Sequence, residues 1–286
     1  MPLALITGAS TGIGEATALR LARSGWTVLA GVRDPLAGEH LTEKAGSNGA
    51  GAVVPLTLDV TDAAQIAQAA ERVRSDSNGS GSAGSLDALV NNAGIAVGGP
   101  LELVGLDELR AQFEVNLIGA VAVTQALLPA LRRARGRIVL TSSVGGKVAA
   151  PYLAPYAASK HALEAIGDAL RVELLSSQVR VALVEPGSVA TPMWNKGRED
   201  ARRFTIPDEL SELYGQVPSA MGKMVEDTAR RGVPPEKVAQ VIERALTERR
   251  MKARYPVGRD ARVMMRVRRM LPDLVFDRVI RRALGV

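Results

Sequence analysis

Leu3-Ala4-Leu5-Ile6 runs directly into Thr7-Gly8-Ala9-Ser10-Thr11-Gly12-Ile13-Gly14, and a helical pattern follows from Glu15 to Ser24. An apolar strand, a glycine turn and a helix, in that order, leave few architectures open. The turn sets backbone N–H groups and the positive end of a helix dipole where a phosphate can meet them. Glycines alone also punctuate ordinary turns, so the strand before and the helix after carry the argument for a dinucleotide site.

The alternation continues. Strand patterns span Thr27 to Val32, Val53 to Leu58, Leu86 to Val90, Arg137 to Thr141 and Val179 to Val184. Helical patterns span Ala63 to Arg74, Asp107 to about Leu131 and Pro155 to Leu175. The Ser-, Gly- and Asn-rich run Ser75 to Ser85 reads as a surface loop. Strands alternating with helices predict right-handed crossovers and a doubly wound parallel α/β sheet. One catalytic domain is expected over residues 1–257, with a substrate lid at about 191–235. An amphipathic helical extension follows over 258–286. The apolar run Leu117 to Leu131 is shorter than the ~20 residues a membrane span requires, and it predicts a buried helix, with a second subunit as one covering surface.

Composition closes off several chemistries. The chain has no cysteine, which excludes disulfides, thiolate catalysis and Cys-ligated metals. Its two histidines, His40 and His161, make a metal site unexpected. The net charge is +6, with arginine concentrated in 244–286. Aromatics are 3% of residues, too few for base stacking, so no nucleic-acid partner is expected. The first strand begins at residue 3 with no leader-like stretch before it, which predicts a cytoplasmic chain.

Tyr156-Ala-Ala-Ser-Lys160 places a phenol and an ammonium at i and i+4 on one helical face. A neighbouring Lys⁺ lowers a tyrosine pKa toward working pH, which suits Tyr156 to acid–base work. Exposed pairs of this spacing are also ordinary helix decoration. Here Thr141-Ser142-Ser143 ends a strand at the sheet edge where open α/β folds bind ligands, and Ser143 can donate to a carbonyl oxygen. Asn116 lies within an apolar helix, where an amide needs hydrogen bonds. It is either satisfied locally or part of a polar network reaching Lys160.

Together these motifs resemble the short-chain dehydrogenase/reductase family, nearest its hydroxysteroid and retinol dehydrogenase branch. The glycine motif matches Thr7 to Gly14, and the Asn-Asn-Ala-Gly motif matches Asn91 to Gly94. Ser143 stands thirteen positions before Tyr156, Lys160 completes Tyr-x-x-x-Lys, and Asn116 matches the helix asparagine. Pro186-Gly187 and Thr191 match the motif beside the nicotinamide. Arg171-Val-Glu-Leu, Val184-Glu-Pro-Gly and the long C-terminus suggest the branch. The resemblance implies a Rossmann fold and hydride transfer between a nicotinamide and a carbonyl/alcohol pair. It assigns Asn116, Ser143, Tyr156 and Lys160 to catalysis. Cofactor contacts fall on Gly8, Ser10, Thr11, Gly12, Ile13, Gly14, Arg33, Asp59, Val60, Asn92, Tyr156, Lys160, Pro186, Gly187, Val189 and Thr191. The Tyr–Lys spacing disfavours enoyl reduction. A homodimer or homotetramer is the implied assembly.

Coenzyme choice turns on Gly31-Val32-Arg33-Asp34. An acidic residue there binds a ribose 2′-OH, whereas arginine binds a 2′-phosphate. Distance along the chain loosely fits Asp34 to the acidic slot, but alignment with the family puts Val32 in that slot and Arg33 next. NADP(H) is therefore expected, with NAD(H) as the alternative. Tyr152, Trp194, Phe204 and Tyr214 surround the expected pocket; Tyr152, Trp194 and Tyr214 are the candidate substrate contacts, for a steroid-, retinoid- or lipid-like carbonyl. The same rings could simply pack the lid. Two helices are predicted in the extension. Val263, Met264, Val267, Met270 and Leu271 form one apolar stripe, and Leu274, Val275, Val279 and Ile280 another. The favoured expectation is that both stripes pack on the body beside the pocket mouth; the alternative is peripheral contact with an anionic membrane. Two further classes stand against a reductase: a catalytically silent dinucleotide sensor or scaffold, and a sugar-nucleotide epimerase or dehydratase. The intact Asn-Ser-Tyr-Lys set argues against the first and the short chain against the second.

Overall fold

A computed structural model describes residues 1–46, 50–76, 83–193 and 206–284. The centre of the predicted Ser75–Ser85 loop, Trp194 and Phe204 lie outside them. Seven parallel strands form one sheet in the order β3-β2-β1-β4-β5-β6-β7. They are β1 (Leu3–Thr7), β2 (Thr27–Val32), β3 (Ala52–Thr57), β4 (Ala88–Asn91), β5 (Arg137–Thr141), β6 (Arg180–Pro186) and β7 (Arg254–Val257). The helices preceding residue 180 are α1 (Gly12–Arg23), α2 (Pro35–Ala45), α3 (Ala63–Ser75), α4 (Leu106–Phe113), α5 (Gly119–Ala134) and α6 (Ala154–Glu173). Beyond β6 come α7 (Ser211–Tyr214), α8 (Val217–Arg231), α9 (Pro235–Thr247), α10 (Arg259–Met270) and α11 (Asp273–Leu284).

Residue alternation along β1 creates the two cores. Ala4 and Ile6 face a layer with Leu21 of α1 and Ile242 of α9, and Leu3 and Leu5 face a layer with Leu127 of α5 and Leu163 of α6. Each fully buried Leu or Ile contributes roughly 1.5–3 kcal/mol, so both sheet faces need their helices. Strand order reverses between β1 and β4, whose residues pair in parallel at Ile6 and Val90. Ligands of open α/β sheets bind beyond the carboxyl ends of the strands at such a reversal.

The predicted helix from Asp107 to about Leu131 forms with a difference. Between α4 and α5 the turn widens to a π-helical segment, Glu114–Ile118, with Asn116 inside it. The whole stretch Leu106–Ala134 is long and apolar enough, by length and composition, to cross a membrane. Its buried side nevertheless carries Gln112, Asn116 and Thr124. Thr124 Oγ1 accepts from Asn91 Nδ2 at 2.8 Å, and α5 packs on the core layer of Leu3 and Leu5, which makes this a core helix. Elements α2, α9 and β7 fall between the strands and helices read from the sequence. β7 is only four residues long and continues the sheet past β6.

The extension departs from the expectation that each helix has one buried stripe. Phe276 and Ile280 are buried against Val148, with Val144, Met264, Val267 and Leu271 around them. Val263 and Met270 from the first predicted stripe, and Leu274, Val275 and Val279 from the second, stay exposed. The pair packs on the body over Val144 and Val148, just after Ser143, and only part of its apolar surface takes part.

Candidate active site

The glycine turn is shaped for close backbone approach. Gly8 and Gly12 have φ of +64° and +59°, a region costly for residues with a Cβ. A Cβ on Gly14 would sit 2.1 Å from the Gly8 carbonyl oxygen and 2.6 Å from Asn92 Nδ2. Asn92 fastens the turn by donating to the carbonyls of Thr7 and Gly8, each at 3.1 Å. Thr7 Oγ1 accepts from the N–H groups of Asn92 and Ala93, each at 3.0 Å. No side chain caps the start of α1. An uncapped helix start above a glycine cradle fits a dinucleotide diphosphate.

The turn forms one wall of a cavity of about 770 Å³. Every residue predicted to touch cofactor lines it except Gly14, which lies packed behind the turn. Ser143, Tyr156 and Lys160 line it beyond the end of β5. Arg33 and Asp59 line it beyond the ends of β2 and β3, and Thr61 donates to Asp59 Oδ1 through its backbone N–H at 2.9 Å and its hydroxyl at 2.8 Å. Burial pushes the Asp59 carboxyl up, but these bonds and the Arg33 charge outweigh it and hold the group below the usual range. Asp34 is employed elsewhere: its carboxylate accepts from Leu36 N–H at 3.0 Å and caps α2, with Pro35 beginning the helix. The loose fit of Asp34 to the acidic slot is thus explained by capping, and Val32 is buried.

Ser143, Tyr156 and Lys160 are 8%, 7% and 4% exposed. Ser143 Oγ accepts from Gly145 N–H at 3.0 Å, which caps the short turn Val144–Gly146, and Ser143 is hydrogen-bonded to Tyr156. Lys160 Nζ donates to the Thr141 carbonyl at 2.8 Å and lies 5.8 Å from the Tyr156 ring centroid. Burial pulls the Lys160 ammonium down to about 8, partly offset by Glu164 one turn along. The anticipated lowering of the Tyr156 pKa by Lys160 does not appear in this geometry. Burial pushes the phenol up, and the Ser143 hydrogen bond opposes it only in part. At neutral pH Tyr156 therefore carries its proton, in the form of a general acid.

Asn116 belongs to a satisfied polar cluster and does not bond Lys160. Its Oδ1 accepts from Ile95 N–H at 2.8 Å, and its Nδ2 donates to the Ile95 carbonyl at 3.0 Å and to Ser159 Oγ at 3.1 Å. Gly94 is the spacer: a Cβ there would lie 3.3 Å from Asn116 Oδ1 and 3.8 Å from Lys160 Nζ. Gln112 does the same work four residues earlier, accepting from Val97 N–H at 2.6 Å and donating to the Ile95 carbonyl at 2.9 Å. The two amides clamp the Ile95–Val97 segment, which lines the cavity. The i, i+4 spacing of two amides on an apolar helix is the signal that would have found Gln112.

The loop after β6 is held from two sides. Val233 N–H donates to the Ser188 carbonyl at 2.9 Å, and Ala190 N–H to the Val233 carbonyl at 3.1 Å. Asp260 at the start of α10 accepts from Ser188 N–H at 2.7 Å, and a Cβ on Gly187 would meet its carboxylate at 2.3 Å. A side chain at position 187 would push the Asp260 carboxylate off Ser188 N–H, so glycine here lets the C-terminal extension hold the loop. The candidate substrate contacts fare differently. Tyr152, at φ +65°, accepts from Gly99 N–H through its carbonyl, and Tyr214 donates its hydroxyl to Glu102 at 2.8 Å; neither lines the cavity, and Trp194 lies outside the described residues. Ile95, Val97, Ala111, Val115 and Met193 supply an apolar wall instead. Behind Lys160, Glu164 pairs with Lys147 at 2.8 Å and with Arg254 at 3.1 Å, and Arg254 also reaches Asp168 at 2.7 Å and Glu185 at 3.4 Å. Burial, and then the neighbouring Glu164, push the Glu185 carboxyl up to about 7. Among the described residues no cluster of His, Cys, Asp or Glu could hold a metal ion.

Comparison with known proteins agrees with this geometry. The family model described as short chain dehydrogenase matches residues 2–202. The chain is 34% identical to the NADPH-dependent 3-dehydrocapnine reductase of Ornithobacterium rhinotracheale, over 98% of this chain and 96% of that protein. It is 35% identical to mouse (Mus musculus) retinol dehydrogenase 5, over 96% and 86% respectively. A short chain dehydrogenase from Burkholderia cenocepacia, solved in complex with NADP, is 25% identical and superposes with a TM-score of 0.72 over 97% of this chain and 96% of that one. The chain belongs to the short-chain dehydrogenase/reductase family and is an NAD(P)-dependent oxidoreductase.

Proposed function

We propose that this enzyme transfers hydride reversibly between NADP(H) and a bulky, lipophilic ketone or secondary alcohol. The observation that carries the reading is the buried Ser143–Tyr156–Lys160 group lining the same cavity as Arg33, with Ser143 just after β5 and Arg33 just after β2, and β1 and β4 between those strands in the sheet. Bound there, the nicotinamide dinucleotide supplies or accepts the hydride. Ser143 Oγ holds the substrate oxygen, and Tyr156 donates its proton to that oxygen as charge develops on it. Lys160 keeps a positive charge beside this proton and offers Nζ donors to the nicotinamide ribose. Asn116 and Gln112 act one step back, by fixing Ile95–Val97.

Arg33 supports the coenzyme preference, since Val32 offers no carboxylate and Asp34 is committed to α2. One relative is named as NADPH-dependent, while the matched structures include complexes with NADP and with NADH, so the preference rests on Arg33. The apolar wall of Ile95, Val97, Val115 and Met193 supports a lipophilic substrate. A homodimer or homotetramer is part of the proposal, supported by exposed Leu106 and Ile118 on the central helix and Val172 on α6. The test is initial-rate assay of NADPH and NADH with ketones of increasing apolar bulk. We expect kcat/KM for NADPH to exceed that for NADH by about ten- to a hundredfold, the range of one charge-assisted hydrogen bond. We also expect bulky ketones to outrun small ones. Equal coenzyme use, or a preference for small hydrophilic carbonyls, would contradict the respective half of the proposal.

A further inference from the structure

Residues 258–286 carry eight arginines and three aspartates, a net of +5 against +6 for the whole chain. The rest of the molecule is close to neutral, so the basic character has one address. On α10 the outward arc consists of Arg259, Arg262, Val263, Arg266, Arg269 and Met270, all exposed. None of these four arginines makes an ion pair with a described residue, whereas Arg268 pairs with Asp273 at 2.6 Å and lies over the Phe276 ring. Met270 is 80% exposed, and Leu274, just across Pro272, is 75% exposed. Val275 and Val279, one turn apart on α11, are each 40% exposed. The inward side is already used, because Phe276 and Ile280 seal against Val148 and Val144. The extension is therefore amphipathic twice over, with one apolar face spent on the body and a second set of apolar side chains set among arginines facing out.

We propose that this outer surface docks the enzyme on an anionic lipid bilayer. Arginines alone would suit nucleic acid or any polyanion. Met270 and Leu274 at the corner between the helices, flanked by arginine, distinguish an interface where apolar groups enter the acyl boundary and guanidinium groups meet headgroup phosphates. The buried side of the pair rests on the segment directly after Ser143, so docking would place that segment's support at the bilayer. The inference is independent of the coenzyme and substrate proposed above.

The experiment is co-sedimentation of the full chain with extruded vesicles of phosphatidylcholine alone or with added phosphatidylglycerol, at low and high salt. We expect binding to the anionic vesicles, little to the neutral ones, and loss in high salt. Arg262→Gln, Arg266→Gln and Arg269→Gln should each weaken partitioning about fivefold. Met270→Ser with Leu274→Ser should weaken it about tenfold while leaving the melting temperature and the turnover of a soluble ketone unchanged. Failure of the wild type to sediment with anionic vesicles would overturn the proposal, as would equal binding to neutral ones. Binding untouched by either set of variants would do the same. Two outcomes would assign the surface to another occupant and also overturn it: a change of oligomeric state in the Met270/Leu274 variant, meaning a second copy, or binding to duplex DNA as tight as to vesicles and equally indifferent to the serine substitutions.

Discussion

Arg33 and Asp260 show how single side chains act on the cavity, one by lining it and one by holding a loop that does. Arg33 faces the cavity end shared with Asp59, where a 2′-phosphate would need a cation. Replacing Val32 with Asp and Arg33 with Ala should reverse the coenzyme preference, read as the ratio of kcat/KM for NADPH to that for NADH. An unchanged ratio would remove Arg33 from the account. Asp260 is a positioning residue, since it holds Ser188 N–H at 2.7 Å without lining the cavity. Asp260→Ala should weaken NADPH binding about five- to tenfold by fluorescence titration, the effect of one partly exposed hydrogen bond, with Asn restoring part of it. Cofactor affinity indifferent to the substitution would reduce this contact to packing. Arg33 could be read from the sequence through the resemblance to the family, which puts Val32 in the acidic slot and Arg33 beside it, whereas distance from the glycine turn alone points to Asp34. Asp260 could not, because its partner is 72 residues away and no motif contains it. Tyr156 shows the same limit: the i, i+4 spacing gives proximity to Lys160, but burial, which sets the direction of the Tyr156 shift, is a property of the folded surroundings.

Among the elements, α6, β6 and β7 share a buried charge cluster with a calculable consequence. Glu185 has its carboxyl pushed from 4.5 up to about 7 by burial and by Glu164. Between those values the folded protein keeps a proton that the unfolded chain has released. Stability is therefore full at the acid end of this window, falls as pH rises toward 7, and then levels. The penalty above pH 7 is on the order of 1–3 kcal/mol. Glu185→Gln should flatten this slope, so that the melting temperature of the wild type drops more than that of the variant between pH 5 and pH 8. Parallel curves would show that Glu185 ionises freely in the fold. Most elements were visible beforehand because strands here are uninterrupted apolar runs and α3 and α6 keep a regular apolar stripe. β7 was not visible: Arg-Tyr-Pro-Val is four residues with a proline, and it is a strand only because β6 offers an open edge. The π-helical turn at Asn116 was equally hidden, since it answers to Ile95 and Ser159 rather than to local pattern.

For the molecule as a whole, the C-terminal helices matter because they close the fold over the loop after Ser143 and reach the loop after β6. Truncation after Val257 would uncover Val144 and Val148 and remove the Asp260 contact. We expect the melting temperature to fall by roughly 10 °C, from the lost burial of Phe276 and Ile280, together with weaker NADPH binding. A truncated protein with the melting point and cofactor affinity of the full chain would mean that the extension is an appendage. The stripe expected from the sequence split into buried and exposed halves because helical periodicity reports apolar positions without saying how wide a neighbour covers them. The central claim concerns hydride transfer with Tyr156 as the proton donor, and the most direct test is single-site. Tyr156→Phe should retain NADPH binding by fluorescence titration yet lose about 10²- to 10⁴-fold in turnover of a ketone the wild type reduces. Turnover within a few fold of wild type, with the cofactor bound normally, would contradict the account.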